Sequence, residues 1–480
     1  MFNILVALVI LIGGLASSSG KTTKVNYIPP SPQIQAQVEG QEVIARRTKT
    51  TKTYQIGPNQ YTLRASVGAQ HYRIGPTDPW LDIDNNWYPA IAPWNWQMTQ
   101  DSYTTKALSN LTAGQVIEYS SQGEYVRFQP MALQWTNNLS QIQQVSIPQN
   151  VAVTISNNRI SWANGYGSGR SLAWINRPER LITLLTLNGI PPLPSQTIIN
   201  GGNPVAELNF IFDPSSSLDI YVNGASWNKR DTVNSALAVE FRREGAILFA
   251  FAPPFAYDAN GNEALVTSQL RRTGNNLYIS VRVPYAWLQT AVYPVSIDPT
   301  FSIAASADDV YRYGATTFST SNTLFRVGEN AGVVYHSAAR FILDIPSGST
   351  INTCFLTLIA NAARTGTGIL TNLLFENAVG ATQITSYGDF DGRSLGTPVP
   401  WDNIANWATG TSYNSPDLTA ALQAVADLGT ITAVNLFWKD DGSSTRLRDG
   451  ASWDDTTYAA PALTATWTEP SMAKHWGAIF

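Results

Sequence analysis

At 480 residues with 44% hydrophobic side chains, the chain is long enough to bury more than one core, because a single core stops growing at roughly 250–300 residues. Only 13% of residues are charged and the net charge is −4, which leaves no basic face or stripe of the kind that gathers nucleic acid. The one cysteine, Cys354, has no partner, so no intrachain disulfide staples the fold, and its apolar run "CFLTLIA" marks it as a packing residue.

Along the chain, "MFNILVALVILIGGLASSSGK" holds an apolar run from Ile4 to about Ala16 that closes on Gly14-Leu15-Ala16, a small-x-small pattern a signal peptidase accepts. No Lys or Arg precedes the run, and it is shorter than the roughly 20 residues a spanning helix needs. Residues 1–20 are therefore expected to be a cleaved signal or an uncleaved anchor in a lipid membrane, with a buried peptide arm as the weaker option. Residues 21–41, rich in Ser, Thr, Pro and Gln, read as an extended linker.

From about Glu42 the texture is that of short strands. "KTYQIGPNQYTLRASV" alternates about a Gly57-Pro58-Asn59 turn, "AVEFRREGAILFAFA" about Glu244-Gly245, and "DANGNEALV" contains Asn260-Gly261, all signals of antiparallel hairpins. The basic cluster "ARRTKTTKTY" reads as a solvated strand face. "WLDIDNNWYPAIAPWNW", with four tryptophans, could offer a sugar platform, but in a sandwich such rings more often plug the core. "NGYGSGRS" lacks both the Lys-Ser/Thr pair of a phosphate loop and the first glycine of a nucleophile elbow, so it reads as a turn. In "AVYPVSIDPTF", Pro299 removes a backbone donor and disfavours helix at Asp298, which predicts the end of one module and the start of the next.

The phrases "ARRTKTTKTYQIG", "HYRIGPTDPWLDID", "PFAYDANGNEALV" and "VPYAWLQTAVYPVSIDPTF" follow one another in the order seen in wall-associated and Rhs-type surface proteins of bacteria and phages. Residues 42–300 thus resemble the β-rich module of those proteins. The tyrosine-aspartate repeats and toxin tip of full Rhs proteins are missing here, so the resemblance does not imply their activity. Residues 301–469 resemble a DNRLRE-type domain through "ARFILDIPSGSTI", the long apolar strand that follows, "WDNIANWATGTSYNSPDLTAALQAVADLG", "AVNLFWKDDGSSTRLRDGASWDD" and "APALTATW". That resemblance implies a β-sandwich similar to carbohydrate-binding modules. One helix is predicted inside it: Ser415 can cap, Pro416 and Asp417 suit the first turn, Leu418, Leu422, Val425 and Leu428 recur at helical spacing, and Gly429 ends it. Residues 470–480 form an apolar, aromatic tail.

Chemistry is sparse against this background. His71, His336 and His475 show no metal-ligand spacing and read as ordinary surface or interface residues. The acidic pairs Asp82/Asp84, Asp308/Asp309, Asp389/Asp391, Asp440/Asp441 and Asp454/Asp455 read as turn chemistry rather than as a glycosidase's two facing carboxyls, which adjacent strand residues, pointing to opposite faces, would not supply together. A structural calcium near Asp308, Asp309 or Asp454 is the one cofactor the pattern leaves open. For sugar recognition, Trp401, Trp407, Tyr413 and Trp453 are the candidate stacking residues, with Trp438 assigned to the core.

The expectation is an all-β, mostly antiparallel protein of β-sandwich or jelly-roll-like domains, with one short helix in the C-terminal domain. Its expected role is non-enzymatic attachment at an extracellular or virion surface, as a spike or adhesin that binds surface glycan or cell envelope. A purely architectural virion component docked on a capsid or surface-layer protein is one alternative, and a secreted polysaccharide-active enzyme is another. Homo-oligomerisation is open, and nucleic acid is not an expected partner.

Overall fold

The computed structural model describes residues 40–470, apart from 261, 304–307, 321 and 456. The expected anchor or signal, most of the linker, His475 and the C-terminal tail lie outside the described residues. Two antiparallel β-sandwiches carry the fold, so the all-β class stands.

The first sandwich is built from residues between about 84 and 303. One sheet runs through Glu124–Thr136, Val205–Pro214 and Asn276–Pro284. The facing sheet runs through Arg159–Trp162, Arg170–Arg177, Arg180–Leu187 and Ala246–Phe251. Strand alternation turns Leu133, Trp135, Leu208, Phe210 and Val281 of the first sheet toward Trp162, Trp174, Leu185 and Phe249 of the second, and all of them are buried. Phe301 lies at the centre, with its ring 4.7 Å from Tyr119, 5.0 Å from Phe251 and 5.2 Å from Phe128. The "SIDPTF" phrase therefore supplies a core plug of this sandwich, and the chain leaves it only after Phe301.

The second sandwich is drawn from both ends of the described chain. Residues Thr51–Gly57 and Gln60–Ser66, expected at the head of the 42–300 module, do not join that module's sheets. Gln60–Ser66 instead pairs antiparallel with Ala462–Thr468, from Gln60↔Thr468 to Ser66↔Ala462, and Ala462–Thr468 pairs in turn with Thr350–Ile359. Leu63 and Ala65 thereby enter one core with Phe341, Leu356, Leu436, Leu463 and Trp467. The first sandwich is an insertion into the second, after residue 67 and before residue 308. Strand alternation fixes which face of Gln60–Ser66 is apolar, and only long-range pairing decides which core receives it.

The facing sheet of the second sandwich contains Asp309–Tyr313, Val333–Ile345, Ile431–Asp440 and Thr371–Phe375. The predicted helix forms over Thr419–Ala426 but is not capped by Ser415, whose Oγ instead accepts from the Leu356 N–H at 3.0 Å, and Pro416 and Asp417 precede its first turn, with Asp417 Oδ1 accepting from the Thr419 N–H at 2.9 Å. Leu422 and Val425 are buried and Gly429 has φ 146°, whereas Leu428 points out at 59% exposure. The expectation of a single helix in this domain falls short. Tyr387–Gly392 forms a second one, capped by Ser386, whose side chain accepts from the Asp389 N–H. Its six residues are too few for an apolar period to show in the sequence.

Candidate functional site

The four residues expected to stack on sugars do not form an exposed platform. Trp401 is 8% exposed, Trp407 2% and Trp453 6%, and Tyr413 is half-buried. Trp401 stacks on fully buried Trp438 at 5.1 Å, and Tyr413 on Trp407 at 4.8 Å. The segments that carry Trp401 and Trp407 look like loops in sequence, yet their backbones are pinned over the open end of the core. Trp401 N donates to Thr371 O at 2.8 Å, and Trp407 and Arg364 exchange two backbone hydrogen bonds. These rings close the sandwich.

Trp453 serves the junction between the sandwiches. The Arg170–Arg177 and Arg180–Leu187 hairpin of the first sandwich inserts its tip against Trp453, Asp454, Asp455 and Tyr458 of the second. Arg180 lies over the Trp453 ring at 4.1 Å, donates to Asp455 O at 3.1 Å and sits 3.8 Å from Asp454. Arg177 donates to Tyr458 O at 3.3 Å, and Lys49 pairs with Glu179 at 2.6 Å. A Cβ added at Gly68 would meet Trp453 Cδ1 at 3.0 Å, so glycine admits the indole there. Asp298 and Asp101 are buried at the same junction, and burial pushes each carboxyl up to about 7.

The carboxylates considered for calcium already have protein partners. Asp308 pairs with Arg340 at 3.1 Å, Asp309 Oδ2 accepts from the Trp453 N–H at 2.6 Å, and Asp454 faces Arg180. Among the described residues no three His, Cys, Asp or Glu side chains converge as cation ligands.

Two histidines expected near the surface are buried. His71 Nδ1 lies 2.6 Å from Thr48 O, and His336 Nδ1 accepts from the Asp440 N–H at 3.0 Å. Burial lowers both, His336 to about 3, which holds its imidazole neutral. Burial also drives the Cys354 thiol upward, away from thiolate chemistry. The basic cluster is internally balanced: Arg47 bridges Glu42 and Asp82, Lys52 meets Asp82, and Arg46 meets Glu469. Of the Trp80–Trp96 stretch, Trp87 is core, while Trp80, Trp94 and Trp96 are half-buried.

An aromatic ledge that the sequence did not single out lies on the second sandwich. Tyr311 and Tyr313 are two apart on one strand and so share a face, and Tyr335 stands directly opposite Tyr313 on the neighbouring strand. The rings are near-parallel, with Tyr311–Tyr313 5.4 Å and Tyr313–Tyr335 5.3 Å apart. Arg326 covers Tyr335 at 5.0 Å and is fixed by buried Asp449, 2.5 Å away. Asn322 donates to the Tyr311 hydroxyl at 3.2 Å, and Thr323 Oγ1 reaches Glu263 of the first sandwich at 3.4 Å. Tyr311 is buried, and Tyr313 and Tyr335 are half-buried, so the outer part of the stack meets solvent. The alternation in "DVYRYG" was the available signal; the third ring, in "VVYHS", comes beside it only through strand pairing.

No family model matches the chain, and no curated protein does. The DNRLRE and Rhs-type resemblances therefore rest on the quoted motifs alone. Among solved structures, similarity is found to a xanthan lyase from Paenibacillus, 9% identical over 90% of this chain with a TM-score of 0.13. This chain spans 55% of the length of that lyase. A Trypanosoma rangeli sialidase in complex with sialic acid is 6% identical over 87% of this chain and 88% of its own, with a TM-score of 0.12. The same sialidase with the inhibitor DANA gives 9%, 92% and 91%, again with a TM-score of 0.12. At such scores the likeness carries no argument.

Proposed function

We propose that the protein is a non-enzymatic attachment protein, displayed outward from its N-terminal segment, that engages surface glycan or cell envelope through the Tyr311–Tyr313–Tyr335 ledge. The stack carries this reading. Phenol rings at a solvent boundary offer apolar faces to sugar rings, while Arg326 and Asn322 beside them can donate to hydroxyls. Burial raises the Tyr311 hydroxyl, so it stays a neutral hydrogen-bonding group. At the ledge Glu263 lies at the rim, bonded by Thr323, and Asp449 is committed to Arg326 and Arg364. The apolar crevice inside the first core, lined mainly by Phe128, Trp174, Leu181 and Phe301, has no titratable side chain in its wall.

The test is binding of the full chain to a panel of polysaccharides and to intact bacterial cells. Tyr313→Ala and Tyr335→Ala are each expected to weaken binding about tenfold without lowering the unfolding midpoint by more than a few degrees. Binding indifferent to both substitutions would remove the ledge. Release of reducing ends would move the protein to the polysaccharide-active enzymes, and failure to bind any glycan or cell would favour the architectural role.

A further inference from the structure

About one residue in eight is charged in the chain as a whole, yet residues 128–158 and 181–206 contain no Asp, Glu, Lys or Arg. Both runs belong to the first sandwich and are hydrogen-bonded to one another. Asn137 donates to Ile198 O at 3.0 Å, Asn138 N to Gly202 O at 3.1 Å, Gln143 to Leu193 O at 3.3 Å and Trp135 Nε1 to Pro192 O at 2.7 Å. The surface they build exposes Leu139 at 67%, Ile142 at 64%, Leu193 at 60%, Ile147 at 50%, Ile190 at 41% and Ile199 at 40%. Aliphatic side chains held outward on hydrogen-bonded turns, with no charged residue in either run, mark a contact face rather than a solvated one.

The same face contains an open sheet edge. Ile142–Ser146 pairs with Glu124–Thr136 on one side and with no described strand on the other. Val153–Ser156, a few residues on, is likewise the terminal strand of the facing sheet. Sheet edges are often protected by charge, as where Glu42 sits on Gln41–Glu42 and where Arg230 and Asp231 come just before Val233–Ser235. The edge at Ile142–Ser146 lacks that protection.

We propose that a second copy of this chain pairs here, Ile142–Ser146 against Ile142–Ser146 in antiparallel fashion about a two-fold axis, joining the two sheets into one. In such a contact Gln144, on the axis, meets its own counterpart and Ile142 meets Ser146 of the copy, so a charge on the axis would face a like charge and one beside it would be buried without a partner. A strand and flanking turns without a charged residue meet that requirement. Gln144, exposed on the strand, carries donor and acceptor together and can bond its own copy as no charged side chain can. The turns that flank the edge are already fixed by Asn137 and Gln143, so pairing orders little that is not ordered beforehand.

Sedimentation of the full chain in detergent, across a concentration series, tests this. A monomer–dimer equilibrium is expected, weakened at least about 100-fold by Gln144→Lys, which puts two like charges across the axis, and by Ile142→Lys, which buries an unpaired ammonium in the contact. Leu237→Lys, equally exposed at the other edge of the same sheet, is expected to leave the equilibrium unchanged. Gln144→Cys supplies a second readout: Cys354 is buried, so a covalent dimer formed under mild oxidation reports the new thiol alone. A monomer at every concentration overturns the proposal. So does association that survives both lysine variants, as association through residues 1–20 would.

Discussion

Trp401→Ala is expected to lower the stability of the second sandwich by about 3–5 kcal/mol, the range for deleting a buried indole, while leaving the ledge able to bind wherever the protein remains folded. The indole stacks on Trp438, and its own backbone N–H closes the core against Thr371. Alanine would leave a cavity at the open end of the sandwich, where Trp407 would remain as the only other indole anchoring the Trp401–Trp407 segment. The measurement is the urea midpoint of the full chain together with glycan binding at low urea. Wild-type stability with lost binding would reverse the assignment and restore Trp401 as a sugar platform.

Local signals in the sequence were faithful where the physics is local. The hairpin turns fall at Asn59, Glu244 and Gly245, each with φ positive, and the helix forms over the apolar period ended by Gly429. What escaped was decided by pairing across hundreds of residues. Nothing in "QYTLRAS" announces that its apolar face belongs with Ala462–Thr468, so the insertion of one sandwich into the other was not legible. Burial of Trp401, Trp407 and Trp453 was hidden for a related reason. Proline, glycine and asparagine around them signal irregular backbone, which ordinarily lies at the surface, whereas here it caps a core and a junction. The ledge is the converse case: two of its tyrosines alternate visibly, and strand pairing supplies the third.

The junction between the sandwiches predicts an unusual dependence of stability on pH. Among the described residues, Asp101, Glu179, Asp298, Asp454 and Asp455 gather about Arg177, Arg180 and Lys49 there, so carboxyls outnumber cations in a buried region. Protons are the available remedy. Burial pushes Asp101 and Asp298 up to about 7 and Asp454 well above its ordinary value. A carboxyl whose pKa is raised on folding binds its proton more tightly in the native state. Its stabilising contribution is complete below the unfolded value near 4 and is lost as pH rises through 7. Asp298 alone should cost roughly 3 kcal/mol between pH 4.5 and 7, at about 1.4 kcal/mol per pH unit, with little further change above. Below pH 4 the trend should reverse as groups such as Asp258, lowered by its hydrogen bonds to Asn262 and the Val292 N–H, take up protons. Stability is therefore expected to peak at weakly acid pH. In Asp298→Asn, whose amide oxygen can still accept from Thr300 Oγ1, that residue's share of the slope should vanish. Urea midpoints at pH 5, 6, 7 and 8 for both proteins decide the matter. Stability that is flat or rising between pH 5 and 7, with the same profile in the variant, would mean that the junction carries its carboxyls ionised and balanced in some other way.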